Sequence, residues 1–352
     1  MASSRKDLGG LPNKYTYSKF GSRSNQNKNQ EDTNNRGNTY RNDQKLFKDN
    51  DYSNNYVHSG TLPTRYIRNS NNPLEGYPKL NRLHQLKRKQ ILNHSTKPYG
   101  ARVSSSEIIP TLNKWIDTYG LKFDVIMIGA LIENQFILPL LMNLPIHKLC
   151  SRPGYMFIWA TTQKIQELTK LLNKDSFNKK FRRSEELIFL PLNKESPYYP
   201  SEDDASGIPL LERQQWHCWM CITGTVRRST DSHLIHCNID TDLQIESEQS
   251  ASNNVVPDSL YRVAENFSNS NRRLHIIPTK IGYNSPIKLR LGWVIMSPDV
   301  LIDNFNPRGL EEELFSKSLV SYKNNVNNPQ FLVPQTDEIE ELRPKSPVAS
   351  KS

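Results

Sequence analysis

Phe123-Asp124-Val125-Ile126-Met127-Ile128, running into Gly129-Ala130-Leu131-Ile132, is the stretch on which the fold turns. A short, almost continuous apolar run that ends on glycine reads as a strand buried on both faces. Further runs of β character follow at Tyr155–Trp159, Glu186–Leu190, Trp216–Thr223, Arg273–Ile277 and Trp293–Met296. Helical stretches lie between them, notably Thr162–Leu172 and Pro257–Phe267, the second with proline near its first turn. Apolar strands alternating with helices predict an α/β domain, a mostly parallel sheet with helices on both faces, over residues 106–320. In such open sheets ligands bind beyond the carboxyl ends of the strands, which makes Gly129–Ile132 the rim to inspect first.

Outside the domain the composition changes. Residues 1–50 are rich in Asn, Ser, Gln and Lys and poor in branched apolar residues. They bury too little to offset chain entropy and are expected to be a disordered basic arm. Residues 51–105 regain aromatics (Tyr52, Tyr56, Tyr66, Tyr77) without a period, then offer a basic helix over Lys79–Leu92. Leu80, Leu83, Leu86 and Ile91 form its expected packed side, and Arg82, Lys87, Arg88 and Lys89 its polar side. The Lys87-Arg88-Lys89 triplet is compatible with nuclear import. Residues 321–352 return to polar, proline-punctuated sequence with an acidic cluster (Asp337, Glu338, Glu340, Glu341) and are expected to be a disordered tail.

The charge is unevenly spread. Residues 1–105 hold 19 Lys/Arg and 7 Asp/Glu; subtracting these from the totals of 46 and 36 leaves 27 against 29, so the net +10 sits in the first third. A basic arm on a neutral domain suits a polyanion such as nucleic acid, because counterion release drives that binding. A solvated tail is the plainer alternative. Four cysteines and no leader-like segment point to a reducing, intracellular setting, and no apolar run reaches the roughly 20 residues that span a bilayer.

Several stretches then coincide with one known family. They are Val57-His58-Ser59-Gly60, Arg65-Tyr66-Ile67-Arg68, Tyr77-Pro78-Lys79-Leu80 and Phe123 to Glu133. The longest is Gly224-Thr225-Val226-Arg227-Arg228-Ser229-Thr230-Asp231, continuing through Ile235-His236, Asn238-Ile239-Asp240 and Asp242-Leu243; Arg272-Arg273-Leu274-His275 and Gly292-Trp293 come last. Together they cover about 70% of the chain, from about Asp51 to about Ser297. In them the sequence resembles the S-adenosylmethionine-dependent N6-methyltransferases of messenger-RNA adenosine, above all their non-catalytic, methyltransferase-like partner subunits and the fungal karyogamy-regulator branch. The resemblance implies a Rossmann-type methyltransferase-like sheet with reordered strand connectivity. Active members end the first strand with an acid or Asn, two prolines and an aromatic residue, which grip the adenine amine and stack on the base. Here Gly129, Ala130, Leu131 and Ile132 stand in those places. Active members also carry an acid for the ribose hydroxyls where His275 stands, and an Asn-Gln pair where Ser297-Pro298-Asp299 is read. The expectation is a pseudo-enzyme with no catalytic residue and no cofactor, its cofactor positions lost near His275 and Pro298.

Two arginine pairs, Arg182-Arg183 and Arg227-Arg228, are the candidate RNA-binding or interface residues. In a loop both members of a pair reach one ligand; inside a strand they point to opposite faces. Thr223-Gly224-Thr225 favours a loop before Arg227, while bridges to Asp231, Asp240 or Asp242 are the structural alternative. Cys218-Trp219-Met220-Cys221, with His233, His236 and Cys237 beyond, mimics zinc-ligand spacing. The segment reads as a strand, where residues three apart face opposite sides, so no metal is expected. His217 and His275 are read as satisfied core or rim histidines.

The resemblance implies a nuclear heterodimer with a catalytic adenosine methyltransferase subunit that makes N6-methyladenosine in messenger RNA, with RNA as a further partner and no membrane. The alternative is a transcriptional cofactor acting with a DNA-binding factor in mating, karyogamy and meiotic gene expression.

Overall fold

The computed structural model describes residue 74 and residues 78–132, 135–174, 177, 180–196, 198–199, 207, 209–226, 231, 233–235, 242–246, 256–281, 287–322 and 328–343. The expected basic arm, residues 1–50, lies outside them. In chain order the first elements are α1 (Pro78–His94), β1 (Tyr99–Arg102), α2 (Ile108–Tyr119), β2 (Phe123–Ile128), α3 (Leu138–Asn143), α4 (Ile146–Leu149) and β3 (Cys150–Thr161). A single 3-10 turn then leads into α5 (Ile165–Asn173), β4 (Phe181–Leu190), α6 (Leu210–Arg213), β5 (Trp216–Thr223) and β6 (Leu243–Ile245). The last are α7 (Asp258–Phe267), β7 (Arg273–Ile276), β8 (Val294–Ser297), α8 (Pro307–Lys317), β9 (Leu319–Ser321), β10 (Gln330–Leu332) and α9 (Asp337–Leu342).

Eight strands form one sheet in the order β1-β8-β7-β2-β3-β5-β4-β6, and β9 and β10 form a separate antiparallel pair. Pairing is parallel from β1 through β3 and again between β4 and β6; β5 runs antiparallel to both its neighbours. The sheet is therefore mostly parallel and reordered. Every residue of β2 is buried, because alternate side chains enter two different cores. Ile126 and Ile128 join the apolar residues of α2, α5 and α8. Val125 and Met127 join those of α7.

Asp124 is the exception in that apolar strand, and it is matched. Arg272 donates from Nη2 to Oδ1 at 2.7 Å and from Nε to Oδ2 at 2.9 Å. Ser270 Oγ also donates to the carboxylate. Such bidentate geometry satisfies the acceptor oxygens of a buried carboxylate.

Three expectations need correction. The domain begins before residue 106: β1 pairs parallel with β8 at the sheet edge. Its four residues Tyr-Gly-Ala-Arg carry little strand propensity, and a close backbone crossing holds them. A β-carbon at Gly100 would lie 2.1 Å from the Ile302 carbonyl oxygen, and that approach lets Phe305 N–H donate to Gly100 O at 2.9 Å.

The carboxyl-terminal segment is also part of the fold at least as far as Arg343. Phe331, Leu332, Val333 and Ile339 are buried, and Asn271 N–H donates to Phe331 O at 2.8 Å. The acidic cluster is the first turn of α9, where Thr336 Oγ1 accepts from Ile339 N–H and carboxylates suit the helix dipole. Ile339 packs on Leu83, and Arg82 pairs with Glu338 at 2.7 Å, so α9 clasps α1. Lys87, finally, is not on the polar side of its helix: it is buried and donates to Asn269 Oδ1 at 2.8 Å. Only Arg88 and Lys89 of the basic triplet are exposed.

Candidate functional site

At the carboxyl end of β2 the backbone turns at Gly129 with φ +86°, a left-handed conformation open to glycine. Gly129, Ala130 and Leu131 are buried, and Ile132 packs against the α7-side core. The Gly129 N–H donates to Ile276 O at 2.9 Å. Its carbonyl is engaged by His275, whose Nε2 lies 2.7 Å away. On the other side of the ring, Nδ1 lies 2.6 Å from Tyr261 Oη. Burial pushes the Tyr261 hydroxyl up, so the phenol keeps its proton. The tautomer follows: Tyr261 O–H donates to Nδ1, and Nε2–H donates to Gly129 O.

His275 has no exposed surface, and burial depresses its pKa to about 4. The ring is neutral in the folded protein but titrates near 6.5 once unfolded. The unfolded chain thus takes up a proton that the fold refuses. Stability is intact above about pH 6.5 and falls by about 1.4 kcal/mol per pH unit from there towards pH 4, where His275 itself becomes charged. Urea midpoints measured across that window should fall in the natural protein and fall less in His275→Asn. Equal profiles would refute a buried neutral ring.

The neighbouring strand ends are likewise tied to one another. Asp299, in the Ser297-Pro298-Asp299 stretch, accepts from Ser297 Oγ at 2.8 Å and from Ile281 N–H at 3.1 Å. The Gln135 amide is buried and donates to Thr279 Oγ1 at 2.7 Å. Beneath this, Glu265 on α7 accepts two hydrogen bonds from Arg290 at 2.7 and 2.9 Å and one from Trp293 Nε1 at 2.8 Å. The residues at this end do not fit S-adenosylmethionine or an adenine amine. Where ribose hydroxyls need an acid there is a neutral imidazole with both nitrogens committed, and where an amine needs an acceptor there is no side chain and the Gly129 carbonyl is taken.

The structure separates the other candidate residues. Arg182 and Arg183 lie inside β4, not in a loop. Arg182 pairs in register with Ile222 and Arg183 with Cys221, residues that belong to opposite cores. The pair therefore cannot grip one ligand together. Arg183 is occupied by the Trp219 ring, its guanidinium carbon 4.4 Å from the centroid; Arg182 is exposed. Arg227 and Arg228 lie outside the described residues. Cys218 and Cys221 sit in different cores on opposite sides of β5, as the strand reading expects; His236 and Cys237 are outside the described residues. His217 is satisfied at both nitrogens, by Thr162 Oγ1 at 3.0 Å and Glu186 Oε1 at 2.7 Å. Among the described residues no helix is long and apolar enough to cross a membrane. Sequence reading missed Tyr261 and Glu265, which lie on α7 and meet His275, Arg290 and Trp293 only once the helix packs on the sheet.

A reordered, mostly parallel sheet of this kind, with helices packed on it, defines a methyltransferase-like protein, and comparison with known proteins agrees. The MT-A70 family model matches residues 127–284. The chain belongs to the MT-A70 family, and within it to the METTL14-like branch that includes fungal Kar4. It is 55% identical over 302 residues to the karyogamy protein KAR4 of Saccharomyces cerevisiae, covering 86% of each chain. It is 31% identical over 324 residues to the N(6)-adenosine-methyltransferase non-catalytic subunit METTL14 of Xenopus laevis, covering 86% of this chain and 64% of that protein. The plant non-catalytic subunit MTB of Arabidopsis thaliana is 32% identical over 216 residues, 56% of this chain and 26% of its own length.

Proposed function

We propose that this chain is a pseudo-enzyme: a non-catalytic subunit that binds the catalytic subunit of a nuclear messenger-RNA N6-adenosine methyltransferase, stiffens it and helps hold RNA. The observation that carries this reading is the sealed end of β2, where Gly129 has no side chain to offer and its carbonyl is held by His275 at 2.7 Å. A domain that keeps the fold but has filled its own reaction site acts through its surfaces. The named relatives METTL14 and MTB are non-catalytic subunits, which supports the same role here.

The test is direct. The purified chain should transfer no methyl group from S-adenosylmethionine to RNA and show no thermal shift with the cofactor. Co-expressed with the catalytic subunit, it should co-purify and raise that subunit's transfer rate. Methylation by the isolated chain would overturn the proposal.

A second reading is favoured by the 55% identity to a karyogamy protein: a cofactor of transcription in mating and meiosis that works with a DNA-binding factor. Affinity purification separates the two by the companion recovered.

A further inference from the structure

The clasp between α1 and α9 is built differently from the rest of the fold. Leu80, Leu83 and Leu86 of α1 meet Ile339 and Leu342 of α9 in a cluster separate from the two cores that flank the sheet. Ile339 is the only buried residue of α9. The six residues of α9 fall well short of the roughly 12–15 that an isolated helix needs in water, so packing on α1 keeps it helical.

The rest of the grip is electrostatic. Arg82 donates from Nε to Glu338 Oε1 at 2.7 Å and from Nη2 to Oε2 at 3.1 Å. Both side chains are about half exposed, at 52% and 47%, where solvent screens an ion pair and leaves it weak. A contact made of one buried side chain and one solvated pair opens locally, ahead of the two cores.

The surface that α9 covers has the chemistry of a docking site. α1 runs for 17 residues, roughly 26 Å at about 1.5 Å each, and α9 for 6, roughly 9 Å. Lys79, Arg82 and Lys89, all exposed, stand on one flank of the apolar side formed by Leu83 and Leu86. α9 supplies the complement, with Ile339 and Leu342 three apart and Asp337, Glu338, Glu340 and Glu341 around them. Apolar anchors at that spacing with charges at the rim are how a helix is held in a groove. Residues 333–336 tether α9 to β10, and so short a link keeps it at an effective concentration of about millimolar.

We infer that α1 is a docking site for an acidic amphipathic helix of a partner protein, and that α9 is the chain's own occupant of that site, released when the partner's helix takes its place. A partner helix of about three turns covers more of α1 than α9 does, which lets it displace a tethered competitor. This surface is independent of the RNA-binding and catalytic-subunit readings.

The experiment uses the full chain and a fluorescent peptide of residues 334–343. Amide hydrogen exchange should be at least about a hundredfold faster in α9 than in β2. The peptide should bind Ile339→Asp, whose own α9 is disengaged, at least about tenfold more tightly than the natural chain. Glu338→Lys, confined to the surface, should raise peptide affinity severalfold. Arg82→Glu added to Glu338→Lys re-forms the pair with its charges exchanged, so that gain should vanish. Exchange in α9 as slow as in β2 would show that the clasp opens only with the whole domain, and overturns the inference. Equal peptide affinity in the natural and Glu338→Lys chains does the same, whatever Ile339→Asp does to folding. Protection of α1 by an RNA oligonucleotide and not by the peptide would make it a nucleic-acid surface and also overturns it.

Discussion

Glu265→Ala is expected to cost the domain about 3–5 kcal/mol, the range for removing one partner of a buried ion pair. That is a large share of the roughly 5–15 kcal/mol by which a domain is stable. The reason is the number of groups that rely on one carboxylate. Glu265 is buried and accepts three hydrogen bonds, two from Arg290 and one from the Trp293 indole. It is also the largest favourable charge felt by Arg273, which is buried with no hydrogen-bond partner among the described residues. Burial pushes Arg273 down to about 10, still well above neutrality, so it remains a cation in need of that carboxylate. Removing Glu265 would leave the buried Arg273 and the Trp293 indole N–H uncompensated, and Arg290 with Asp258 alone, at 3.1 Å.

Two variants refine the expectation. Glu265→Gln keeps the shape but loses the charge and turns one acceptor oxygen into an NH2 donor facing Arg290 or Trp293, and should still lose most of the stability. Glu265→Met with Arg290→Met removes the ion pair symmetrically, which by itself can be nearly neutral. It should recover only part of the loss, because Arg273 still lacks its counter-charge. Chemical denaturation of the three variants checks this; full recovery in the double variant would show that Arg273 does not depend on Glu265.

This network also marks how far the sequence could be read. The limits of β2 and β5 follow from their residues alone, since both are buried on two faces and bounded by glycine. β3 and β4 begin earlier than expected, because Pro153 and the Arg182-Arg183 pair look like loop residues until pairing with β5 is known. β1, β10 and α9 escape notice because they are short and held by distant partners: β8, the Asn269–Asn271 backbone, and Leu83. Thr336 ahead of Asp337 and Glu338 was a legible helix start, masked by the polar composition around it. That Gly129–Ile132 differ from the acid, two prolines and aromatic residue of the active pattern could be seen in the sequence. That His275 would turn its ring to the Gly129 carbonyl could not, because the contact joins positions 146 residues apart.

That contact leads to the second large effect, the failure of a simple repair. Installing an acid-Pro-Pro-aromatic sequence through Gly129→Asp, Ala130→Pro, Leu131→Pro and Ile132→Trp should restore no methyl transfer and should destabilise the chain by about 2–3 kcal/mol. Space is not the obstacle, since a β-carbon at Gly129 would meet Trp159 Cβ at an ordinary 3.5 Å. The backbone is. Residue 129 sits at φ +86°, where an L-residue is strained by about 1–3 kcal/mol, and a proline at 130 drives the residue before it towards extended geometry. The new carboxylate would also enter a buried site where the Nε2–H of His275 is already given to the carbonyl. For a domain of this size the loss corresponds to a fall of about 5–10 °C in Tm. Calorimetry of the quadruple variant, together with a methyl-transfer assay, tests both halves. A variant as stable as the natural chain that labelled RNA by itself would mean that the fold still holds a working methyltransferase site and that four side chains alone had silenced it.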